Sequence, residues 1–340
     1  MAPVSLILYH KKTSTDVTLI NFASRPPMVK KAYTLLFLAA SCFWSTALWA
    51  QGCSDAGFCT MGALKPDQPY NKRIAIRLRS MEIGFYRGTT PLTPVIYVAT
   101  ADLNFGINDK TSFQVKLPYQ AVQGQLGATT GLGDISLCLT RNVIKRRTFD
   151  VNVSLGGKIA TNGANKSEDG FPLPMYYQTS LGSYDVMAGV SLISKKWLVA
   201  TGIQHPFNKN NNQFLWSAWE TSTEDQAYIH RYANARELYR GTDVMLRVER
   251  NFRFSQWNFT AGLLPIYRLN HDVITDKFGK RVAQPNTTGL ALSAIATVGY
   301  NFDVRSGVRL LMGHKLVQRE TNPDGLTREL VMTLSYCYRF

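Results

Sequence analysis

The last eleven residues of the chain, Leu330-Val-Met-Thr-Leu-Ser-Tyr-Cys-Tyr-Arg-Phe340, alternate in polarity at every second position. One parity holds leucine, methionine and aromatic side chains, and the other holds mostly small or polar ones. Successive side chains of a β-strand point to opposite faces, so the pattern predicts a strand between an apolar and a wet environment. A transmembrane β-barrel strand lies between lipid and a polar interior. An amphipathic strand that closes a soluble sheet is the alternative for this segment alone.

An aromatic residue at the end of such a strand resembles the assembly signal of bacterial outer-membrane β-barrel proteins. The predicted signal consists of Tyr336, Tyr338 and Phe340, which share the apolar parity. The resemblance implies two partners, which are outer-membrane lipid and the barrel-assembly machinery.

The amino-terminal region has the layout of a secretory signal peptide. Lys30 and Lys31 precede an apolar run, and the segment that follows leads to a predicted cleavage site after Ala50. Residues 28–50 are therefore predicted to be the signal peptide and residues 1–27 an upstream extension. The apolar run is short for a transmembrane helix, so a membrane crossing is predicted to use strands. Residues 51–72 are predicted to lie in the periplasm or to plug the barrel from that side.

The chain is basic, with 38 Lys or Arg residues, 23 Asp or Glu residues and a formal net charge of +15. In an intracellular protein such basicity would suggest nucleic acid. Here the basic residues are scattered singly along alternating segments of an exported chain, so no nucleic-acid partner is predicted. Lipid phosphates and anionic solutes are the more plausible acidic partners. Cys53 and Cys59 are candidates for a disulfide, which their spacing neither requires nor forbids.

Twelve alternating segments follow one another between residues 73 and 340. Each reaches the roughly 9 to 11 residues that a tilted strand needs to cross a membrane. Short and long connections alternate between them, as in barrels with periplasmic turns and external loops. The sequence therefore predicts an all-β fold, an antiparallel up-and-down transmembrane β-barrel of about 12 strands. The longest connection, Pro206 to Glu237, is interpreted as a mobile external loop rather than a constriction folded into the mouth.

Three short motifs between residues 105 and 207 resemble the outer-membrane family named for the MetA pathway of phenol degradation. They are Leu117-Pro118-Tyr119, Gly131-Leu132-Gly133-Asp134 and Gly182-Ser183-Tyr184-Asp185. Each motif alone is ordinary turn chemistry, but their order and spacing are more specific. The resemblance covers about a third of the chain. It implies a barrel that passes small, often apolar or aromatic molecules, and it supplies no catalytic residues.

The sequence contains no cofactor or metal motif, and an enzyme is not predicted. Outer-membrane hydrolases place a His beside a Ser, Asn or Asp on the barrel. Beyond the signal peptide the chain has His205, His230, His271 and His314, and none lies in a recognisable catalytic pattern. A His and a Ser within hydrogen-bond reach at one rim would favour a hydrolase.

Strand parity also predicts which charged residues face the barrel interior. A charge on the lipid face costs about 2 to 4 kcal/mol near the midplane, so the inward assignment is cheaper. The predicted lumen-lining residues are Arg73, Arg77, Arg79, Lys116, Arg247, Glu249, Arg309 and Lys315. They either form a basic passage or pair with acidic residues to fill a narrow barrel. The predicted function is an outer-membrane channel for small organic solutes, apolar, aromatic or anionic. A purely structural barrel is the alternative and a hydrolase a distant third.

Overall fold

The wall of the molecule is a closed antiparallel β-barrel of twelve strands, as the sequence predicts. The computed structural model describes Met61 and residues 77–340. The wall strands are β1 (Arg77–Thr89), β2 (Val95–Gly106), β3 (Thr111–Gly124), β5 (Ile135–Lys145), β6 (Phe149–Ile159), β9 (Asp185–Ser194), β10 (Trp197–Pro206), β11 (Asp243–Phe254), β12 (Trp257–Arg268), β15 (Gly289–Asn301), β16 (Ser306–Val317) and β17 (Leu330–Arg339). Each pairs with the wall strands before and after it in the chain, and β17 pairs with β1 to close the ring.

The closing seam is regular over its whole length. Nine residue pairs join β1 to β17, from Ser80 opposite Arg339 to Gly88 opposite Val331. On the other side of β1 the register with β2 shifts between Leu78 and Ser80. A closed ring leaves no unpaired strand edge, which is the condition for a β-structure to lie in hydrocarbon.

The described residues contain five further strands. They are β4 (Gly127–Leu132), β7 (Ser167–Glu168), β8 (Phe171–Pro172), β13 (Val273–Thr275) and β14 (Arg281–Ala283). Strand β4 pairs with β3 in the sheet of the wall, and the other four lie in the long connections. The connections also contain two 3-10 turns, Met175–Tyr177 and Trp216–Trp219, and a one-turn helix, Gln226–Ile229. Among the described residues, no helix is long and apolar enough to span a membrane.

The glycine-rich segment after Tyr119 forms a hairpin rather than an irregular loop. Strand β3 continues to Gly124, and β4 folds back along it, with Tyr119 opposite Leu132. The alternation of β3 persists through Val122, and Gly127 has a φ of 137°, which a side chain would disfavour. Residues 119–132 therefore form a hairpin that extends the wall at this end of the barrel.

The connections sort by length as the sequence predicts. The turns at one end comprise two to four residues: 107–110, 146–148, 195–196, 255–256 and 302–305. The opposite end carries the β3–β4 hairpin, the short connection 90–94 and four long connections, 160–184, 207–242, 269–288 and 318–329. In up-and-down outer-membrane barrels the short turns face the periplasm and the long loops face outward.

The two faces of the wall have opposite chemistry. Outward-facing side chains are largely apolar and exposed, among them Phe85, Leu155, Leu263 and Leu334. The alternate positions turn inward and hold the buried polar and charged groups. An apolar belt around a polar interior is the arrangement that lipid requires of a barrel.

The long connections form a packed cap rather than mobile loops. Its core contains Phe214 and Trp219 from the longest connection, together with Leu173 and Tyr177 from the connection before it. The hydroxyl of Tyr177 accepts a hydrogen bond from the Leu126 N–H at 3.1 Å, which ties the β3–β4 hairpin to the cap. The interpretation of residues 206–237 as mobile is therefore replaced by an ordered cap. Its aromatic side chains bury against each other because several connections supply them at one level.

Candidate channel interior and mouth

The predicted lumen-lining residues lie at several levels of the barrel. Lys116, Arg247, Glu249 and Lys315 are buried and share the inward parity of their strands. Arg79 lies at the rim with the short turns, where its guanidinium donates to the backbone oxygen of Asn108 at 2.6 Å. Arg73 and the side chain of Arg77 lie outside the described residues, as do Cys53 and Cys59.

Two of these predicted residues are paired with carboxylates. Arg309 lies 3.7 Å from Glu82 across the closing seam. The contact passes over the intervening strand β17, where Ser335 lies opposite both Arg309 and Gly84 and has a small side chain. Arg247 forms an ion pair with Glu249 two residues along β11, and both side chains are almost fully buried. Pairing lowers the cost of burying a charge inside the wall.

The lysines have other surroundings. Lys116 lies directly opposite Asp102 in the register of β2 and β3, and Asp102 accepts both hydrogen bonds of the neighbouring Gln114 amide, at 2.7 and 2.8 Å. The ammonium group of Lys315 donates to Gln318 at 2.6 Å, just beyond the outer end of β16. The interior contains ion pairs as well as further basic groups. It therefore fits both a basic passage and a narrow barrel that is filled by paired charges.

An apolar cluster inside the barrel has no counterpart in the predicted charge pattern. Met61 lies in it, against inward-facing side chains that form what we call the apolar collar: Cys138, Met187, Leu198, Ala200, Met245, Leu264 and Ile295. Strands β9 to β12 carry apolar residues at both parities, as in Val199-Ala200 and Leu263-Leu264. That loss of alternation was the available signal for the collar.

The three family-type motifs meet at the level where the wall becomes the cap. Leu117 and Tyr119 face outward and Pro118 inward, and the Gly133 N–H donates to the Pro118 oxygen at 2.7 Å. Asp134 accepts from the Leu181 N–H at 3.0 Å and from the Ser180 hydroxyl. In the sequence 11 residues separate the first motif from the second and 47 separate the second from the third, and the fold brings all three together.

Lys158 links the second and third motifs electrostatically. Its ammonium group lies 3.4 Å from Asp134 and 4.0 Å from Asp185. Asp185 also accepts from the Ser183 hydroxyl at 2.8 Å and forms an ion pair with Arg240. Gly131 lies in β4, and Gly182 has a φ of 66° with Ala164 and Asn210 close to where a side chain would point. The motif residues therefore connect the wall to the cap through hydrogen bonds and ion pairs.

A second charged cluster holds the other side of the cap. Arg268, at the outer end of β12, donates to Asp243, Asp272 and Asp324 at 2.7 to 3.0 Å. Arg319 lies 3.3 Å from Asp243 and adds a second cation. Burial raises the pKa of Asp272, with the nearby Asp324 acting in the same direction. The pKa of Asp324 is lowered, because attraction to Arg268 and Arg319 exceeds the effect of its burial.

The outer mouth holds a depression of about 410 Å³ where five connections meet. Pro91 comes from the first connection and Tyr176 from the third, while Trp216 and His230 come from the longest one. The Trp216 and His230 rings lie 4.7 Å apart at an interplanar angle of 34°. The surface of the depression is therefore aromatic as well as polar.

Two histidines lie beside threonine hydroxyls at the outer end of the barrel, and one of these is His271, whose Nδ1 lies 3.4 Å from Oγ1 of Thr287. Nδ1 of the other, His205, lies 2.8 Å from Oγ1 of Thr242. Each partner is a threonine rather than the serine that the sequence argument required. His314 lies on the outward parity of β16, opposite Ala294 and Leu330.

Comparison with solved structures supports the fold. The crystal structure of the COG4313 outer membrane channel from Pseudomonas putida F1 matches with a TM-score of 0.57 and 13% sequence identity. This match covers 81% of this chain and 99% of that chain. The chain shares the fold of that channel. At this identity the likeness concerns the fold alone.

Two further barrels match more weakly. The NanC porin has a TM-score of 0.43 and 9% identity, over 77% of this chain and 100% of that chain. The outer membrane phospholipase A from Escherichia coli has a TM-score of 0.38 and 7% identity, over 78% of this chain and 94% of that chain. No protein-family model and no curated protein matches the sequence.

Proposed function

We propose that the protein is an outer-membrane channel for small organic solutes. The observation that carries the proposal is the closed wall with an apolar outward face and charged groups on its inward face, Lys116, Arg247 and Lys315 among them. In this proposal the mouth depression is the entry, and the rings of Trp216 and His230 line it. Basic and apolar surfaces in one passage suit a solute with a hydrophobic body and a carboxylate. The resemblance to the family named for the MetA pathway of phenol degradation supports the same class of solute.

A structural barrel without transport is the second candidate. The ion pairs of Arg309 with Glu82 and of Arg247 with Glu249, together with the apolar collar, would then serve to fill the interior. A hydrolase is the third, and the His205 to Thr242 contact is the observation that favours it. Loss of an ester-hydrolysing activity in a Thr242→Ala variant would support the hydrolase.

The channel is tested by flux into liposomes that contain the purified barrel. An anionic aromatic acid should enter faster than a neutral aromatic of similar size, and a cation should enter most slowly. A Lys116→Gln, Lys315→Gln variant should lose this preference severalfold and respond less to salt, because the interior field weakens. The matched control is Lys277→Gln, Lys280→Gln, which removes two exposed lysines of the cap.

The outcomes separate the candidates. A folded barrel that passes no solute faster than empty liposomes would favour the structural barrel. Flux that is unchanged in the Lys116→Gln, Lys315→Gln variant would keep the channel and reject these lysines as its lining. Equal change in the matched control would show that net charge rather than the interior is responsible.

We further propose that Met61 closes the interior at the apolar collar. Met61 is 2% exposed and packs among the collar residues, so its side chain occupies space that a solute would need. A Met61→Gly variant should therefore pass solutes faster than the wild type by severalfold in the same liposomes. Met312→Gly is the matched control, because Met312 lies on the outward parity of β16. Unaltered flux after Met61→Gly, with the control also unaltered, would contradict the plug.

A further inference from the structure

Four neighbouring wall strands, β6, β9, β10 and β11, and their turns form a strongly basic arc at the end of the barrel with the short turns. Phe149 of β6 pairs with Ser194 of β9, which brings the turn 146–148 beside the turn 195–196. Trp197 pairs with Arg250 of β11, which extends the arc by another strand. We call Arg146, Arg147, Lys195, Lys196 and Arg250 the periplasmic arc.

The charges of the periplasmic arc are presented to the outside. Arg146, Arg147, Lys195 and Lys196 are exposed. The Arg250 guanidinium lies 4.9 Å from the centroid of the Trp197 ring and 5.7 Å from that of Phe252, on the outward parity of β11. The nearby carboxylate of Asp150 follows the inward parity instead. The arc therefore has an unbalanced positive charge on its membrane side.

The opposite end of the barrel lacks this imbalance. The four long connections hold ten basic and eleven acidic residues, whereas the five short turns hold six basic and two acidic residues. In the cap, charges of both signs pair, as Lys209 does with Glu237 at 2.8 Å. The excess positive charge of the connections therefore lies at the end of the barrel with the short turns. Solubility alone would not sort charge in this way.

The depth of the arc matches that of lipid phosphates. Exposed aromatic side chains, Trp197, Phe252 and Trp257, face outward at the same end. Aromatic belts of this kind lie at the boundary between hydrocarbon and headgroups. Arginine and lysine just beyond such a belt meet the phosphate layer, where each adds attraction to an anionic surface.

We propose that the periplasmic arc binds the headgroups of anionic phospholipids in the periplasmic leaflet. Phosphatidylglycerol and cardiolipin have the required chemistry, a negatively charged phosphodiester at the level of the arc. Arg250 is held in position by the two aromatic rings, while the turns supply adjacent cations from separate strands. The inference rests on the proposed membrane location but is independent of whether the barrel transports a solute.

Spin-label electron paramagnetic resonance tests the inference on the reconstituted barrel. Spin-labelled phosphatidylglycerol should show a larger motionally restricted fraction beside the protein than spin-labelled phosphatidylcholine, and high salt should reduce the difference. The variant Arg146→Gln, Arg147→Gln, Lys195→Gln, Lys196→Gln should lower the preference for phosphatidylglycerol at least about tenfold. Lys277→Gln, Lys280→Gln serves as the control at the opposite end and should retain it.

Each contrary result has a distinct meaning. A preference that persists in the quadruple variant would overturn the proposal. A preference lost equally in the control would overturn it as well, because the arc would then have no special role. Binding to isolated peptidoglycan that depends on the four residues, without lipid preference, would overturn it in favour of an acidic polymer. If neither spin-labelled lipid shows a motionally restricted fraction, both the lipid-binding proposal and the membrane location are overturned. A failure of solute flux would leave the lipid-binding proposal unaffected.

Discussion

Replacing Arg268 with Leu is expected to open the cap. The substitution leaves Asp243, Asp272 and Asp324 buried without the guanidinium that contacts all three. Removing one partner from a buried ionic group costs about 3 to 5 kcal/mol. Arg319 would remain beside Asp243 and Asp324, so three buried carboxylates would share one neighbouring guanidinium of this cluster instead of two. The loss should fall on the connections rather than on the wall, whose backbone hydrogen bonds are unaffected.

Limited trypsin digestion measures this opening. The longest connection contains Lys209 and Arg231, which are exposed sites for cleavage once the backbone around them unfolds. Arg268→Leu should be cut there far faster than the wild type, while the heat-modifiable gel mobility of the barrel persists. Lys280→Leu, an exposed change in the connection that follows Arg268, should retain wild-type resistance. Equal resistance of Arg268→Leu and wild type would show that the aromatic core alone maintains the cap.

The second large effect is expected at the carboxy-terminal residue. Phe340 is exposed on the lipid side, and its ring lies 5.0 Å from that of Tyr338 in an edge-to-face arrangement. We expect Phe340→Ala to reduce the amount of assembled barrel in outer membranes severalfold, because recognition should use the outward aromatic series. Heat-modifiable protein in the membrane fraction is the measure.

Arg339→Ala is the matched control for that experiment. Arg339 lies on the other parity, opposite Ser80, and its loss should change assembly much less. Tyr336 and Tyr338 remain in Phe340→Ala, so some assembly should persist. Equal yields of the two variants would count against the predicted signal.

The wall was predictable from sequence because its physics is local. The alternation of polar and apolar residues along a strand specifies which side chains face lipid. The lengths of the connections specify at which end of the barrel each strand begins and ends. The terminal strand shows both: Leu334 and Tyr336 face outward, and Ser335 faces inward beside Arg309. Prediction of twelve strands and of their order follows from counting such segments.

The cap and the apolar collar were not predictable in the same way. Phe214 and Tyr177 become neighbours in the cap core only through the folding of two separate connections, and no periodicity marks that contact. The motifs include Asp134 and Asp185, but nothing in the sequence marks Lys158 between them, because it occupies an ordinary inward position of β6. Long-range charge pairing leaves little trace in one sequence.

Closure of the seam between β1 and β17 also ends the period in which an assembly factor can bind the free edge of the carboxy-terminal strand. Before closure, the outer edge of β17 is a row of free N–H and C=O groups that another strand can pair with. In the finished ring that edge is fully occupied by β1, and the Phe340 N–H donates to the Arg79 oxygen at 3.0 Å. An assembly factor that pairs with this edge would therefore be displaced by the barrel's own first strand. Release of the product would then need no separate step, since completing the fold removes the binding site.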